Sequence, residues 1–174
     1  ELRGSDGQFI SFGTAPRMLL LTPLGQFILT LYDIWKDGQL HLMPEQFEMI
    51  LASGWLGGYV QDTVDQFCAV REQYFAQCET LQQWTNALEQ LKKHPALPEH
   101  ERKRSRLPAD SVTREQIDYW NATLQTVNKA CGRLFDPREG PIGDHIQRLK
   151  NELDAFDRAE VYETELQVLR RIQA

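Results

Sequence analysis

The chain is short of several things that would point to a ready-made function. It has only three cysteines, Cys68, Cys78 and Cys131. An odd number without a close pair supplies no disulfide framework. No apolar run approaches the length needed to cross a bilayer, and no secretory signal pattern is present. Basic residues do not dominate: 19 Lys and Arg face 25 Asp and Glu, for a net charge of -6. That balance argues against a generally basic surface for nucleic acid or membrane.

Catalytic and metal motifs are equally scarce. The four histidines are His41, His94, His100 and His145. None follows a Glu at the di-iron spacing, and there is no His-Glu-x-x-His or Cys-x-x-Cys pair. His41 and Glu45 are four apart, but Pro44 stands between them and disfavours one helix through both. The Gly-x-Ser-x-Gly elbow is missing, and "ASGWLGG" around Ser53 lacks its spacing. Glycines 54, 57 and 58 are followed by no phosphate-loop Lys-Ser/Thr, so they read as turn or close-packing residues. Asp144 and His145 read as a helix cap and a surface ring. No catalytic residue, metal site or cofactor site follows from the sequence.

What is present is helical periodicity in one 174-residue domain. "QFISF" and "RMLLL", separated by "GTAP", predict a small N-terminal hairpin over residues 8–21. Thr22-Pro23 then has the chemistry of a helix start: a hydroxyl to cap and a proline whose missing N–H costs nothing at the first position. Apolar spacing predicts a helix from Pro23 to about Lys36, stopped by Gly38. A second starts at Pro44 and ends near Gly54. From Tyr59 to about Lys93, Val60, Val64, Phe67, Arg71, Tyr74, Cys78, Leu81 and Leu88 approximate a heptad seam. This predicts one long, coiled-coil-like helix with Arg71 as the one charged residue on its seam. On that helix Cys68 and Cys78 would be roughly 15 Å apart at about 1.5 Å per residue, as buried thiols in a reducing cytoplasm.

Residues 94–112, "HPALPEHERKRSRLPADSV", are predicted to form a loop or linker. "TREQ" at 113–116 matches a capping box. The seam Ile117, Trp120, Leu124, Val127, Cys131 and Leu134 follows it. A last helix is expected from about Asp144 to Arg171. The expected fold is mainly α: a helical bundle with long amphipathic helices and a small N-terminal β-hairpin.

Two surface features stand out. Trp55, in a glycine-rich turn beside Leu56 and Tyr59, is the candidate interface. Arg102, Lys103, Arg104 and Arg106 form the strongest basic cluster, a candidate contact for a polyanion or an acidic protein. It has no interleaved aromatic residues for base stacking.

The stretch "QFISFGTAPRMLLLTPLGQFILTLY" resembles the end of a winged-helix domain. There the second wing strand runs into Leu-Thr-Pro-Leu-Gly and a helix, matched here by Leu21, Thr22, Pro23, Leu24 and Gly25. The resemblance covers about residues 8–36. It brings no recognition helix, because no helix-turn-helix precedes Gln8. It implies a chain lying downstream of a winged helix in a longer protein, a layout similar to kleisin-like subunits of bacterial condensins. The start at Glu1 rather than Met fits an excised or processed piece.

The function expected first is a non-enzymatic helical module for protein–protein interaction or self-association. The alternative is a nucleic-acid-associated regulator or chromosome-associated subunit. Neither expectation involves a membrane.

Overall fold

A computed structural model describes residues 22–55, 61–94, 107–135 and 141–155. These residues are mainly helical, with one small antiparallel hairpin. The first helix, α1 (Pro23–Asp33), starts where its sequence dictates. Thr22 Oγ1 accepts from the Gly25 N–H at 3.1 Å, and proline occupies the first turn. Leu24, Phe27, Leu31 and the flanking Ile34 are buried. The predicted continuation to Lys36 does not occur. Asp37 and Gly38 both take positive φ, 53° and 74°, and fold Trp35–Lys36 (β1) onto Gln39–Leu40 (β2). This two-residue turn needs two left-handed positions, which Asp-Gly supplies at low cost. The hairpin predicted over residues 8–21 lies outside the described residues.

The next helix, α2 (Pro44–Ser53), has proline in its first turn, and Gln46 Oε1 accepts from the Met43 N–H at 2.8 Å. Gly54 ends it with φ 71°, a conformation that costs glycine no Cβ clash. α1 and α2 lie along one another, and the Gln46 amide donates to Asp33 across the pair.

The long helix predicted from Tyr59 to Lys93 is two helices, α3 (Gln61–Tyr74) and α4 (Leu81–Lys93). The heptad seam therefore does not form a continuous coiled coil. At the break, Thr80 and Gln83 form a capping box: Gln83 Oε1 accepts from the Thr80 N–H at 2.9 Å and from the Glu79 N–H at 3.0 Å. The chain is also held there by a backbone bond from Leu42 N–H to Glu79 C=O, 2.7 Å, and by an antiparallel bridge between His41 and Thr80. The corner turns Phe75 into the core, fully buried.

A four-residue helix, α5 (Pro108–Ser111), lies within the stretch predicted as a loop. It packs on α3. Leu107 N-caps it with a proline following, and Asp110 is buried. The long α6 (Arg114–Leu134) begins with the expected capping box. Thr113 Oγ1 accepts from the Gln116 N–H at 3.1 Å, and Gln116 Oε1 accepts from the Thr113 N–H at 2.8 Å. All six residues of its predicted seam are buried. α7 (Ile142–Ala155) starts two residues before the expected Asp144, so Asp144 lies inside its first turn rather than capping it. Residues 156–171 of the predicted last helix lie outside the described residues.

The core is aromatic at its centre. Phe47, Phe67, Phe75, Trp84 and Trp120 contribute rings from α2, α3, the α3–α4 corner, α4 and α6, with centroid separations from 4.8 to 6.4 Å. Such contacts add stabilisation to the apolar burial itself. Trp84 Nε1 donates to Leu42 C=O at 2.7 Å, which fixes the strand-to-helix connection against α4. Cys131 Sγ faces Leu31 C=O at 3.9 Å, joining α6 to α1.

Candidate functional site

Trp55 is not an exposed anchor. Its side chain is 0% exposed and its ring stacks on Phe27, with centroids 6.1 Å apart and planes 9° from parallel. The left-handed Gly54 turns the chain back toward α1, which places Trp55 inside rather than at the rim. Leu56 and Tyr59 lie outside the described residues, as do Arg102, Lys103, Arg104 and Arg106. The proposed basic contact therefore has no geometry here.

The exposed large apolar side chains among the described residues are Leu29, Tyr32, Met43, Met49 and Leu107. Four of the five belong to α1, α2 or the turn before α2. α1 is apolar on both sides: Leu24, Phe27, Leu31 and Ile34 face the core, while Leu29 and Tyr32 are each 44% exposed. The Gln46–Asp33 bond sets the register of the α1–α2 pair. Leu29 lies one turn before Asp33, and Met49 one turn after Gln46. Between two antiparallel neighbours these positions fall at the same level. Leu29 and Met49 therefore each stand on the side of their helix opposite its buried residues.

Tyr32 leads to a second feature, formed where α1, α6 and α7 meet. Its hydroxyl is 2.5 Å from His145 Nε2, and the His145 ring is also hydrogen-bonded to the Leu134 backbone. Tyr32 and Phe135 pack edge-to-face at 5.0 Å, and His145 lies 5.6 and 5.9 Å from those two rings. His145 is therefore a packed connector, not the surface ring the sequence predicts. Burial, and then the Arg148 charge, hold its pKa below the usual 6.5. Burial raises the Tyr32 pKa, so the phenol stays protonated near neutrality. That leaves the phenol O–H donating to a neutral imidazole.

Other polar groups are tied up in structure. Arg71, the one charge on the predicted seam, reaches out of the core to Glu48 at 2.7 Å, Glu72 at 3.2 Å and Glu45 at 3.9 Å. His41 pairs with Glu79 at 3.0 Å, and His94 with Asp110 at 2.6 Å. Arg133 and Glu152 form a two-point contact between α6 and α7, at 2.6 and 2.5 Å. Among the described residues no cluster of three or more His, Cys, Asp or Glu is arranged to hold a metal ion.

The cysteines divide by position. Cys78 and Cys131 are buried as expected, and burial raises their pKa values to about 11 and about 12. Cys68 is exposed on α3, contrary to expectation, because its position faces away from Val64, Phe67 and Val70. Burial of its sulfur and the neighbouring Glu48 carboxylate still raise its pKa, so it lacks the depressed value of a nucleophilic thiol.

No helix among the described residues is long and apolar enough to cross a membrane. Comparison with protein-family models, curated proteins and solved structures finds no match to this chain.

Sequence reasoning missed both surface features. Leu29 and Met49 fit apolar helical patterns that do not say which face is covered. The Tyr32–His145 pair spans 113 residues and has no local signal.

Proposed function

We propose that this protein is a non-enzymatic helical module that associates with a protein, a second copy or a different chain, through the outer face of α1 and α2. The observation that carries this reading is the double-sided character of α1. Its inner side chains are fully buried, yet Leu29 on its outer side is 44% exposed, and Met49 of the neighbouring α2 is 43% exposed. A helix that has already satisfied the core usually turns polar residues outward. Large apolar side chains left exposed on neighbouring helices are the ordinary raw material of an interface core. Among the described residues, His41, His94, Arg71 and Arg133 are engaged in pairs that hold the fold together, which favours a binding role over a catalytic one. Three unpaired thiols fit a reducing cytoplasm.

The test is sedimentation and chemical cross-linking of the protein, wild type against Leu29→Asp and Met49→Lys. These positions are solvent-exposed, so the variants should fold, while a charge at an interface centre typically costs binding at least ten-fold, or about 1.4 kcal/mol. Loss of self-association, or of an identified partner, in both variants supports the proposal. A monomer that binds the same partner equally well in both forms overturns it. If association instead fails when Arg102, Lys103, Arg104 and Arg106 are changed to Ser, and falls with salt, the nucleic-acid or polyanion reading takes its place.

A further inference from the structure

The junction of α1, α6 and α7 has a property that the interaction reading neither uses nor requires. His145 is the fourth residue of α7, within its first turn, where the unpaired backbone N–H groups give the helix end a partial positive charge. Several groups face its ring. From α1 comes the Tyr32 hydroxyl, at 2.5 Å. From α6 come the Leu134 backbone and the Phe135 ring. The guanidinium of Arg133 in the same turn is engaged by Glu152. From α7 itself come Asp144, adjacent in sequence and exposed, and Arg148, whose charge opposes a second cation.

A neutral imidazole satisfies this surrounding. One ring nitrogen donates to the Leu134 carbonyl, and Nε2 offers its lone pair to the Tyr32 O–H. An imidazolium has no lone pair to offer. Its charge would sit half-buried, beside Arg148 and at the positive end of a helix.

We propose that the Tyr32–His145 contact is an acid-labile latch: protonation of His145 releases the first turns of α7 from α1 and α6, uncovering Phe135 and the covered part of Tyr32. The release is local. Leu149 and Leu153, 7% and 1% exposed, hold the following turns against α6, together with the Arg133–Glu152 pair. The sign follows from linkage. The docked state prefers neutral His145, so docking is at full strength above about 6.5. It weakens as the pH falls from there through the docked-state midpoint, and the loss levels off below that midpoint.

The experiment combines ring titration of the histidines by NMR with amide hydrogen exchange of residues 142–155, corrected for intrinsic chemistry, between about pH 7.5 and about pH 5. The His145 resonance, assigned by its absence in His145→Gln, is expected to titrate below 6.5. Each pH unit of that depression should match about a ten-fold loss of protection in the first turns of α7. Gln keeps an acceptor and a donor without a charge, so His145→Gln should retain protection and lose its pH dependence. Tyr32→Phe removes the donor that favours the neutral ring and should move the midpoint up. A midpoint at or above 6.5 in the wild type overturns the latch, as does a loss of protection that persists in His145→Gln. The wild-type comparison of midpoint and protection decides the question even where a variant does not fold.

Discussion

At the scale of single residues, burial decides chemistry more than identity does. The three thiols are chemically the same until packing separates them. Cys78 and Cys131, held up to about 11 and about 12, should not react with a disulfide reagent in the native protein at neutral pH. Cys68 is reachable but raised, and should react slowly. A thiol count during labelling should therefore rise from one to three on adding denaturant. Trp84 is a sharper probe, since it combines full burial with a 2.7 Å bond to Leu42 C=O. Trp84→Ala should destabilise by about 3–5 kcal/mol through the cavity it leaves. Trp84→Phe should cost about 1–3 kcal/mol, because the carbonyl loses its donor. Urea midpoints for the two variants test that order.

Elements begin and end where local hydrogen bonding competes with periodicity. The seam through Cys78 and Leu81 is helical in spacing, yet the chain breaks there. The stretch Thr80-Leu-Gln-Gln83 offers a capping box in the middle of that run, and Phe75 gains full burial from the corner. Thr80→Ala should cost about 1 kcal/mol. It should not fuse α3 and α4, since the Leu42–Glu79 backbone bond and Phe75 remain. Helical content by circular dichroism should stay level while the melting temperature falls. The Asp37-Gly38 turn behaves in the same way. Gly38→Ala meets no atom within 4 Å, so its cost is the left-handed backbone alone, about 1 kcal/mol. That cost should appear in stability without a change of fold.

The described residues close around one core that draws on every helix from α1 to α7. Because the central rings come from elements far apart in the chain, loss of any one weakens all of them together. Tryptophan fluorescence and far-ultraviolet circular dichroism should report one coincident urea transition. Trp84→Ala should shift both traces equally. An early fluorescence transition would show that α1 and α2 come away separately. At this scale the proposed association would draw on Leu29 and Met49, which the core leaves exposed.

Much of this arrangement is local and therefore readable in the chain. Thr22-Pro23, Pro44, Gly54 and the Thr113–Gln116 box set helix ends through contacts within four residues. The Ile117–Leu134 seam declares its buried side by spacing alone. The Asp-Gly turn and the Thr80–Gln83 box are local too, but each competes with a helical pattern running across it. Choosing between them required knowing what Phe75, Leu40 and Leu42 bury against. The candidate sites were further out of reach. Trp55 turns inward because Phe27 is there to receive it, and Leu29 stays outside because no described element covers it. His145 meets Tyr32 across 113 residues. Sequence determined the helices and their inner faces, since capping and periodicity act over a few residues. Only tertiary packing decided which apolar side chains stayed exposed and which titrating ring was enclosed, because both depend on neighbours far away in the chain.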